Sequence, residues 1–273
     1  MEMTNLMKRF LTGVVLIFGI WLSVIWSCYS FFTLVVLINI IGLREFYRLF
    51  ESASPMITYG MIVSLVLLFS FIIAELNYFD WEILLINIPS VFILFLIALY
   101  SRSEKVISGL AFTFMGILYV SIPLVFLLLT AFNPFWKGVY VPTVILGLFI
   151  IVWSNDTGAF IFGKILGSNH LFARISPNKT WEGSFGGAIC SLLAAFVSSL
   201  FFTILSLSDW MIISLIVIVT GTYGDLIKSM MKRSVNVKDS GSILPGHGGI
   251  LDRFDSLMGS VPFVFCYLIL FFE

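Results

Sequence analysis

Carboxylate side chains near the C-terminal end of this 273-residue chain have spacings that suit a metal site. Asp252 and Asp255 are three positions apart, which on a helix puts both carboxylates on one face, one turn from each other. Asp225 precedes them in another apolar segment. Hard divalent cations take carboxylate oxygens, and Mg²⁺ typically uses one or two of them while water and phosphates fill its other positions. The three aspartates are therefore candidate Mg²⁺ ligands for metal-assisted phosphoryl or nucleotidyl transfer.

Glycines and basic residues of the same segment would complete such a site. Glycines allow the backbone to approach a ligand closely, and basic side chains supply positive charge for phosphates. The residues concerned are Gly246, Gly248, Gly249, Lys228, Lys232, Arg233, Lys238 and Arg253. For Lys228, the role of a topology signal that binds anionic lipid is a sufficient interpretation. His247 is assigned to phosphate contact or turn structure, because a phosphate monoester is largely dianionic at neutral pH and needs no general base.

A second polar stretch, residues 154–158, follows the apolar run 144–153 directly. A carboxylate such as Asp156 is costly inside a bilayer, so the helix is expected either to break here or to line a wet cavity. Asn155 and Asp156 are then candidate substrate-binding residues. A helix-packing patch, with polar side chains bonded across helices, is the alternative.

A third stretch, residues 176–183, enters a long apolar segment and carries turn and capping residues. A helix N-terminus beside Lys179 would attract phosphate through unpaired N–H groups and the helix dipole. Ser176 before Pro177 is a candidate N-cap, and Asn178 and Thr180 are competing caps. A capped amphipathic helix start without a ligand explains the same residues equally well.

Membrane helices must position these residues, because 60% of the chain is hydrophobic and 11% is charged. In soluble domains about 45–50% of the residues are apolar and about 25% are charged. The net charge of zero gives no basic field for nucleic acid, so no such partner is expected. Runs near the roughly 20 residues that a spanning helix needs predict an all-α polytopic membrane protein, a bundle of about nine transmembrane helices. The predicted spans are 10–27, 29–43, 56–74, 83–100, 106–132, 139–162, 184–207, 210–231 and 256–272.

The distribution of Lys and Arg predicts the orientation. With the N-terminus in the cytoplasm and nine spans, every Lys and Arg except Lys137 falls on the inner side, as the positive-inside rule requires. We expect residues 1–138 to form a scaffold that can carry dimer contacts. Residues 139–273 are expected to form the catalytic half, with its polar site on the cytoplasmic side.

The pattern around the aspartates resembles the signature of phosphatidate cytidylyltransferases, also called CDP-diacylglycerol synthases. The matching positions are Ser229, Lys232, Arg233, Lys238, Asp239, Gly241, Leu244, Pro245, His247, Gly248, Gly249, Asp252, Arg253 and Asp255. Residues 154–158 and 176–183 are also similar to segments of that family. The resemblance therefore covers the chain from residue 154 onward, and the first half shares only a general helical character.

The resemblance implies condensation of CTP with phosphatidic acid to CDP-diacylglycerol and pyrophosphate, with Mg²⁺ and K⁺ as cations. It implies metal binding by Asp225, Asp252 and Asp255, and catalytic roles for these three together with Lys238, His247 and Arg253. The substrate-binding residues that we expect are Asn155, Asp156, Ser176, Lys179, Thr180, Lys232, Arg233, Lys238, Gly248 and Gly249. It further implies a homodimer, and the short N-terminus favours a bacterial inner membrane with the site facing the cytoplasm.

Two other functions use the same residue types. A CTP-dependent lipid kinase of the dolichol-kinase type would transfer the γ-phosphoryl group of CTP. An ion-coupled transporter would use Asp156 and Asp225 within a broken helix. The transporter is the weaker alternative, because the charged residues gather on one predicted face and the outer ends offer little for alternating access.

Overall fold

The computed structural model describes residues 2–132, 139–237, 241 and 248–271, with side chains from residue 13 onward. Long helices dominate the described chain. They are α1 (Glu2–Trp26), α2 (Cys28–Leu49), α3 (Ile57–Glu75), α4 (Asn87–Leu99), α5 (Val106–Gly116), α6 (Ile122–Phe132), α7 (Pro142–Leu166), α8 (Trp181–Phe201), α9 (Leu207–Ser234) and α10 (Leu251–Phe271). Shorter elements are the 3₁₀ turns Glu51–Ala53 and Trp81–Ile86, a π-helical turn Ile117–Ser121 between α5 and α6, and strands β1 (His170–Phe172) and β2 (Ser176–Thr180).

The helices confirm the all-α polytopic membrane fold. Eight segments of the described chain are long and apolar enough to cross a bilayer, and α1 contributes a shorter apolar stretch, Gly13–Trp26. Each predicted span coincides with one of these segments. Helix α10 begins at Leu251 instead of residue 256, so that Asp252 and Asp255 are both helical. The apolar run underestimates the length of this helix because its first turn is polar. The N–H groups of a first turn have no partner within the helix and take acceptors outside it.

The first compact unit comprises Met1–Leu128 together with Asp239–Asp252. Polar side chains in its interior are hydrogen-bonded across helices: Tyr47 donates to the carbonyl of Thr113, and Asn39 donates to Ser64. Apolar residues of α3, α4, α5 and the π-helical turn form a buried core. Its members are Val63, Leu94, Ala98, Leu110 and Ile117.

The second compact unit comprises Leu129–Lys238 and Arg253–Glu273. Glycines let its helices approach closely, as small residues do in membrane proteins. A Cβ atom added to Gly187 of α8 would lie 2.7 Å from the backbone oxygen of Asn155 on α7. The fully buried Trp210 of α9 occupies the space where a side chain at Gly147 of α7 would lie. Close packing thus requires glycine at these contacts.

The structure decides two local expectations from the sequence. A break at residues 154–158 is excluded, because helix α7 continues through them, and the Asp156 side chain is hydrogen-bonded to Ser256 of α10. Ser176 is not an N-cap: it lies in β2, which pairs antiparallel with β1 in a hairpin that the sequence reasoning missed. The N-cap of α8 is Thr180, one of the competing candidates, and its hydroxyl accepts from the Gly183 N–H at 3.2 Å.

Candidate functional site

A close crossing of α9 and α10 determines where two of the predicted aspartates lie. A Cβ atom added to Gly224 would lie 2.8 Å from the backbone oxygen of Asp255, and one added to Gly259 would lie 2.8 Å from the Gly224 Cα. Asp225 follows the α9 glycine directly, and Asp255 is one turn before the α10 glycine. The two carboxylates consequently lie close enough for their charges to interact.

Each of these carboxylates pairs with a lysine. The Lys179 Nζ lies 2.5 Å from Asp225 Oδ2, and both side chains are partly accessible, at 26% and 33%. The Lys228 Nζ lies 3.5 Å from Asp255 Oδ2, and these side chains are only 2% and 12% exposed. The lipid-binding interpretation of Lys228 is therefore wrong. A buried ammonium cannot bind lipid headgroups, and this one compensates a buried carboxylate instead.

Asp156 of α7 belongs to the same group. Its Oδ1 accepts a hydrogen bond from the Ser256 hydroxyl at 3.0 Å, and its charge interacts with those of Asp225 and Lys179. Asp156, Lys179, Asp225, Lys228 and Asp255 are called the carboxylate–lysine cluster below. Sequence reasoning preferred a lipid-binding role for Lys228 and did not consider Ser256, although both lie within one helical turn of predicted aspartates on α9 and α10.

Side-chain oxygens of Thr180 and Glu182 already accept backbone hydrogen bonds at the start of α8. Thr180 caps the helix, and the Glu182 carboxylate accepts from the backbone N–H groups of Ser168 and Asn169, each at 3.2 Å. Glu182 thereby ties the residues directly before β1 to the first turn of α8. The hairpin in turn carries Lys179 to Asp225, where its Nζ also lies 3.5 Å from the Thr222 carbonyl. Phosphate binding at this helix start stays a prediction.

Other predicted binding residues of the second unit lie on α7, β2 and α9, the elements that carry the cluster. Asn155 is buried beside Gly187, Ser176 is part of β2, and Lys232 is partly buried on α9. The Arg233 Nε donates to the carbonyl of Ile175 at 3.4 Å, so this arginine holds the end of α9 against the hairpin. The structure thus gives Arg233 a structural contact, and its role in substrate binding stays a prediction.

The glycine turn and Asp252 belong to the first unit. Gly248 has a φ of +77°, a backbone conformation that favours glycine, and the Gly249 N–H donates to Asp252 Oδ2 at 3.1 Å. The two following N–H groups, of Ile250 and Leu251, donate to the carboxylate of Glu45. Sequence reasoning missed Glu45 because the predicted second span ended at residue 43. An acidic residue near the end of an apolar run was the available signal.

Several predicted residues lie outside the described part of the chain. These are Lys238, Asp239, Leu244, Pro245, Gly246 and His247. Arg253 is described: it lies on the exposed side of α10 and interacts electrostatically with Asp156.

The donor chemistry of the cluster fits Mg²⁺. Its acceptors are carboxylate oxygens, the hard ligands that this ion prefers. Among the described residues, no three His, Cys, Asp or Glu side chains form a metal-binding group on their own. Mg²⁺ commonly takes only one or two carboxylates, with substrate phosphates and water completing its shell. The assignment of Asp225, Asp252 and Asp255 as metal ligands stays a prediction.

Fold and side chains together define a polytopic α-helical membrane protein with carboxylates and lysines clustered among its C-terminal helices. The sequence profile of the cytidylyltransferase family matches residues 7–271, which is nearly the whole chain. The chain therefore belongs to the cytidylyltransferase family.

Curated relatives carry a more specific name. The chain is 43% identical to the phosphatidate cytidylyltransferase of Staphylococcus haemolyticus over 180 residues, which cover 65% of this chain and 66% of that protein. It is 42% identical to the Staphylococcus aureus enzyme of the same name, with the same coverage. With the Staphylococcus epidermidis enzyme of that name the identity is 50% over 127 residues, 46% of this chain and 48% of the relative. The matched stretches thus span 66% or less of these relatives.

Proposed function

We propose that this chain is a phosphatidate cytidylyltransferase, which condenses CTP with phosphatidic acid to CDP-diacylglycerol and pyrophosphate. The observation that carries the proposal is the carboxylate–lysine cluster in a membrane-embedded member of the cytidylyltransferase family. The relatives' shared name supports the choice of lipid substrate. A membrane location also suits the substrate, because its acyl chains can stay in the bilayer while its headgroup reaches the polar cluster.

The reaction exchanges one phosphate ester bond for another. A phosphate oxygen of phosphatidic acid forms a bond to the α-phosphorus of CTP, and the bond from that phosphorus to the bridging oxygen of pyrophosphate breaks. Negative charge increases at the pentacoordinate centre and on the leaving group, so positive groups placed there lower the barrier. Lys179 is the accessible cation of the cluster and is suited to contact a phosphate. Lys228 is buried, and its role is to hold Asp255 in place.

Mg²⁺ is the cation that we propose for this chemistry. Asp225 and Asp255 would hold it, and the family resemblance adds Asp252 as a third ligand. Bound Mg²⁺ would neutralise charge on the CTP phosphates and orient them for in-line attack. A K⁺ ion beside it follows from the resemblance alone.

Labelled CTP separates this function from the kinase alternative. Purified protein is incubated with phosphatidic acid, Mg²⁺ and CTP labelled at either the α- or the γ-phosphate. We expect α-label in the lipid product and γ-label in pyrophosphate, with release of pyrophosphate dependent on all three components. Appearance of γ-label in the lipid would identify a lipid kinase. Solute flux in proteoliposomes without any consumption of CTP would instead indicate a transporter.

The remaining parts of the proposal concern the protein's surroundings. As a multi-pass membrane protein with bacterial relatives, the chain is expected in the cytoplasmic membrane with its cluster facing the cytoplasm, where CTP is present. We also propose a homodimer. Cysteine labelling from each side of sealed vesicles tests the orientation, and mass measurement in lipid nanodiscs tests the oligomeric state.

A further inference from the structure

A buried glutamate of α2 accepts the first backbone N–H groups of α10. Glu45 is 2% exposed, its Oε1 accepts from the Ile250 N–H at 3.0 Å, and its Oε2 accepts from the Leu251 N–H at 3.0 Å. The first N–H groups of a helix have no acceptor within that helix. A buried carboxylate is stable only when such donors compensate it, and the positive end of the helix dipole favours its charge. Glu45 therefore caps α10 from a different helix.

The Glu45 carboxylate and the backbone around it are closely packed. A Cβ atom added to Gly241 would lie 2.7 Å from Glu45 Oε1, so the backbone there lies directly against the carboxylate. One added to Gly42, about one turn earlier on α2, would lie 3.3 Å from the Leu251 side chain. Glu45 thus contacts the signature segment on both sides of residues 242–247 along the chain.

The capped residues adjoin Asp252 and the glycine turn. The Gly249 N–H donates to Asp252 Oδ2, so three successive N–H groups, of Gly249, Ile250 and Leu251, each have a carboxylate acceptor. The N–H groups that Glu45 occupies are not available to a phosphate. Substrate recognition in this turn must therefore use other groups than the Ile250 and Leu251 amides.

We propose that Glu45 is a positioning residue for the transfer reaction: its carboxylate holds residues 249–251 so that Asp252 has a fixed place in the first turn of α10. This inference rests on the proposed function only for its consequence in catalysis. The hydrogen-bonding role can be measured without turnover.

The test replaces Glu45 by Gln in the full-length chain. The Gln side chain has one acceptor oxygen, and its NH₂ group cannot accept, so one of the two backbone donors loses its partner. Hydrogen–deuterium exchange of a peptide covering residues 249–254 should become about tenfold to a hundredfold faster, as expected for the loss of a hydrogen bond to a charged group. The turnover number should fall by a similar factor, while KM for CTP changes much less. Glu45→Asp keeps both oxygens and should restore part of both quantities.

Glu75→Gln is the matched control, because Glu75 is also a buried glutamate of the first unit, at the end of α3. It should leave exchange at residues 249–254 and the turnover number unchanged. Unchanged exchange in Glu45→Gln, or faster exchange with an unchanged turnover number, would overturn the proposal. So would equal effects of the two Gln variants. A wild-type protein that forms no CDP-diacylglycerol refutes the proposed function instead, and the exchange data then still decide whether Glu45 holds this segment.

Discussion

The two lysine–aspartate pairs of the carboxylate–lysine cluster should contribute very differently to stability. Lys228 and Asp255 are 2% and 12% exposed, whereas Lys179 and Asp225 are 26% and 33% exposed. Removing one member of a buried pair leaves an uncompensated charge and costs about 3–5 kcal/mol. Exposed pairs contribute about 0–1 kcal/mol, because water screens the charges and solvates each partner separately. Burial, and not the shorter distance, should therefore decide which pair stabilises the fold.

Lys228→Met removes the buried charge while keeping most of the side-chain volume. We expect it to lower the free energy of unfolding by about 3–5 kcal/mol, because Asp255 is left near the charges of Asp225 and Asp156. Lys179→Met should lower it by no more than about 1 kcal/mol. The double variant Lys228→Met/Asp255→Asn removes both buried charges. Its cost in unfolding free energy should be less than the summed costs of the single variants Lys228→Met and Asp255→Asn by about 1–3 kcal/mol.

Denaturant unfolding of the purified protein in detergent micelles, followed by tryptophan fluorescence, measures these free energies. Activity is not needed for this assay, so a catalytic effect of the same substitutions does not confuse the comparison. A Lys228→Met variant that loses no more stability than Lys179→Met would contradict this expectation. Full addition of the two single costs in the double variant would also contradict it, since additivity means that the buried charges do not stabilise each other.

Three further substitutions test the site and its supports. Asp225→Asn should reduce Mg²⁺-dependent CDP-diacylglycerol formation at least about a hundredfold, because lost charge stabilisation of the reacting centre commonly has that size. The control Asp209→Asn, at the other end of α9, should retain activity. Equal activities of the two variants would contradict the metal assignment. Gly259→Ala places a Cβ 2.8 Å from the facing α9 glycine, and it should destabilise the fold by about 1–3 kcal/mol with loss of turnover. In the control Gly19→Ala the added Cβ meets no atom within 4 Å, so the free energy of unfolding and the turnover should both stay unchanged. Thr180→Ala removes the α8 cap and should lower the free energy of unfolding by about 1 kcal/mol, and an unchanged unfolding curve would argue against this cap.

Composition and periodicity determined the class of fold. Long apolar runs must become helices in a bilayer, because no water is present to satisfy exposed backbone groups, and each predicted span coincides with a helical segment of the structure. The signature around Asp252 and Asp255 likewise led to the family that the whole-chain comparison confirms. Both inferences depend on information that is local in the sequence, either a continuous run or a fixed spacing.

Contacts between distant parts of the chain were decided only by the tertiary structure. Lys228 looked like a charge at a membrane edge, and its burial against Asp255 depends on the α9–α10 crossing, which residue spacing does not encode. Glu45 is more than 200 positions from the α10 start that it caps, and the hairpin that brings Lys179 to Asp225 depends on the pairing of two short strands. The physical reason is that a side chain's charge and hydrogen-bonding capacity are set by its own type, whereas its partners and its burial are set by how separate helices pack.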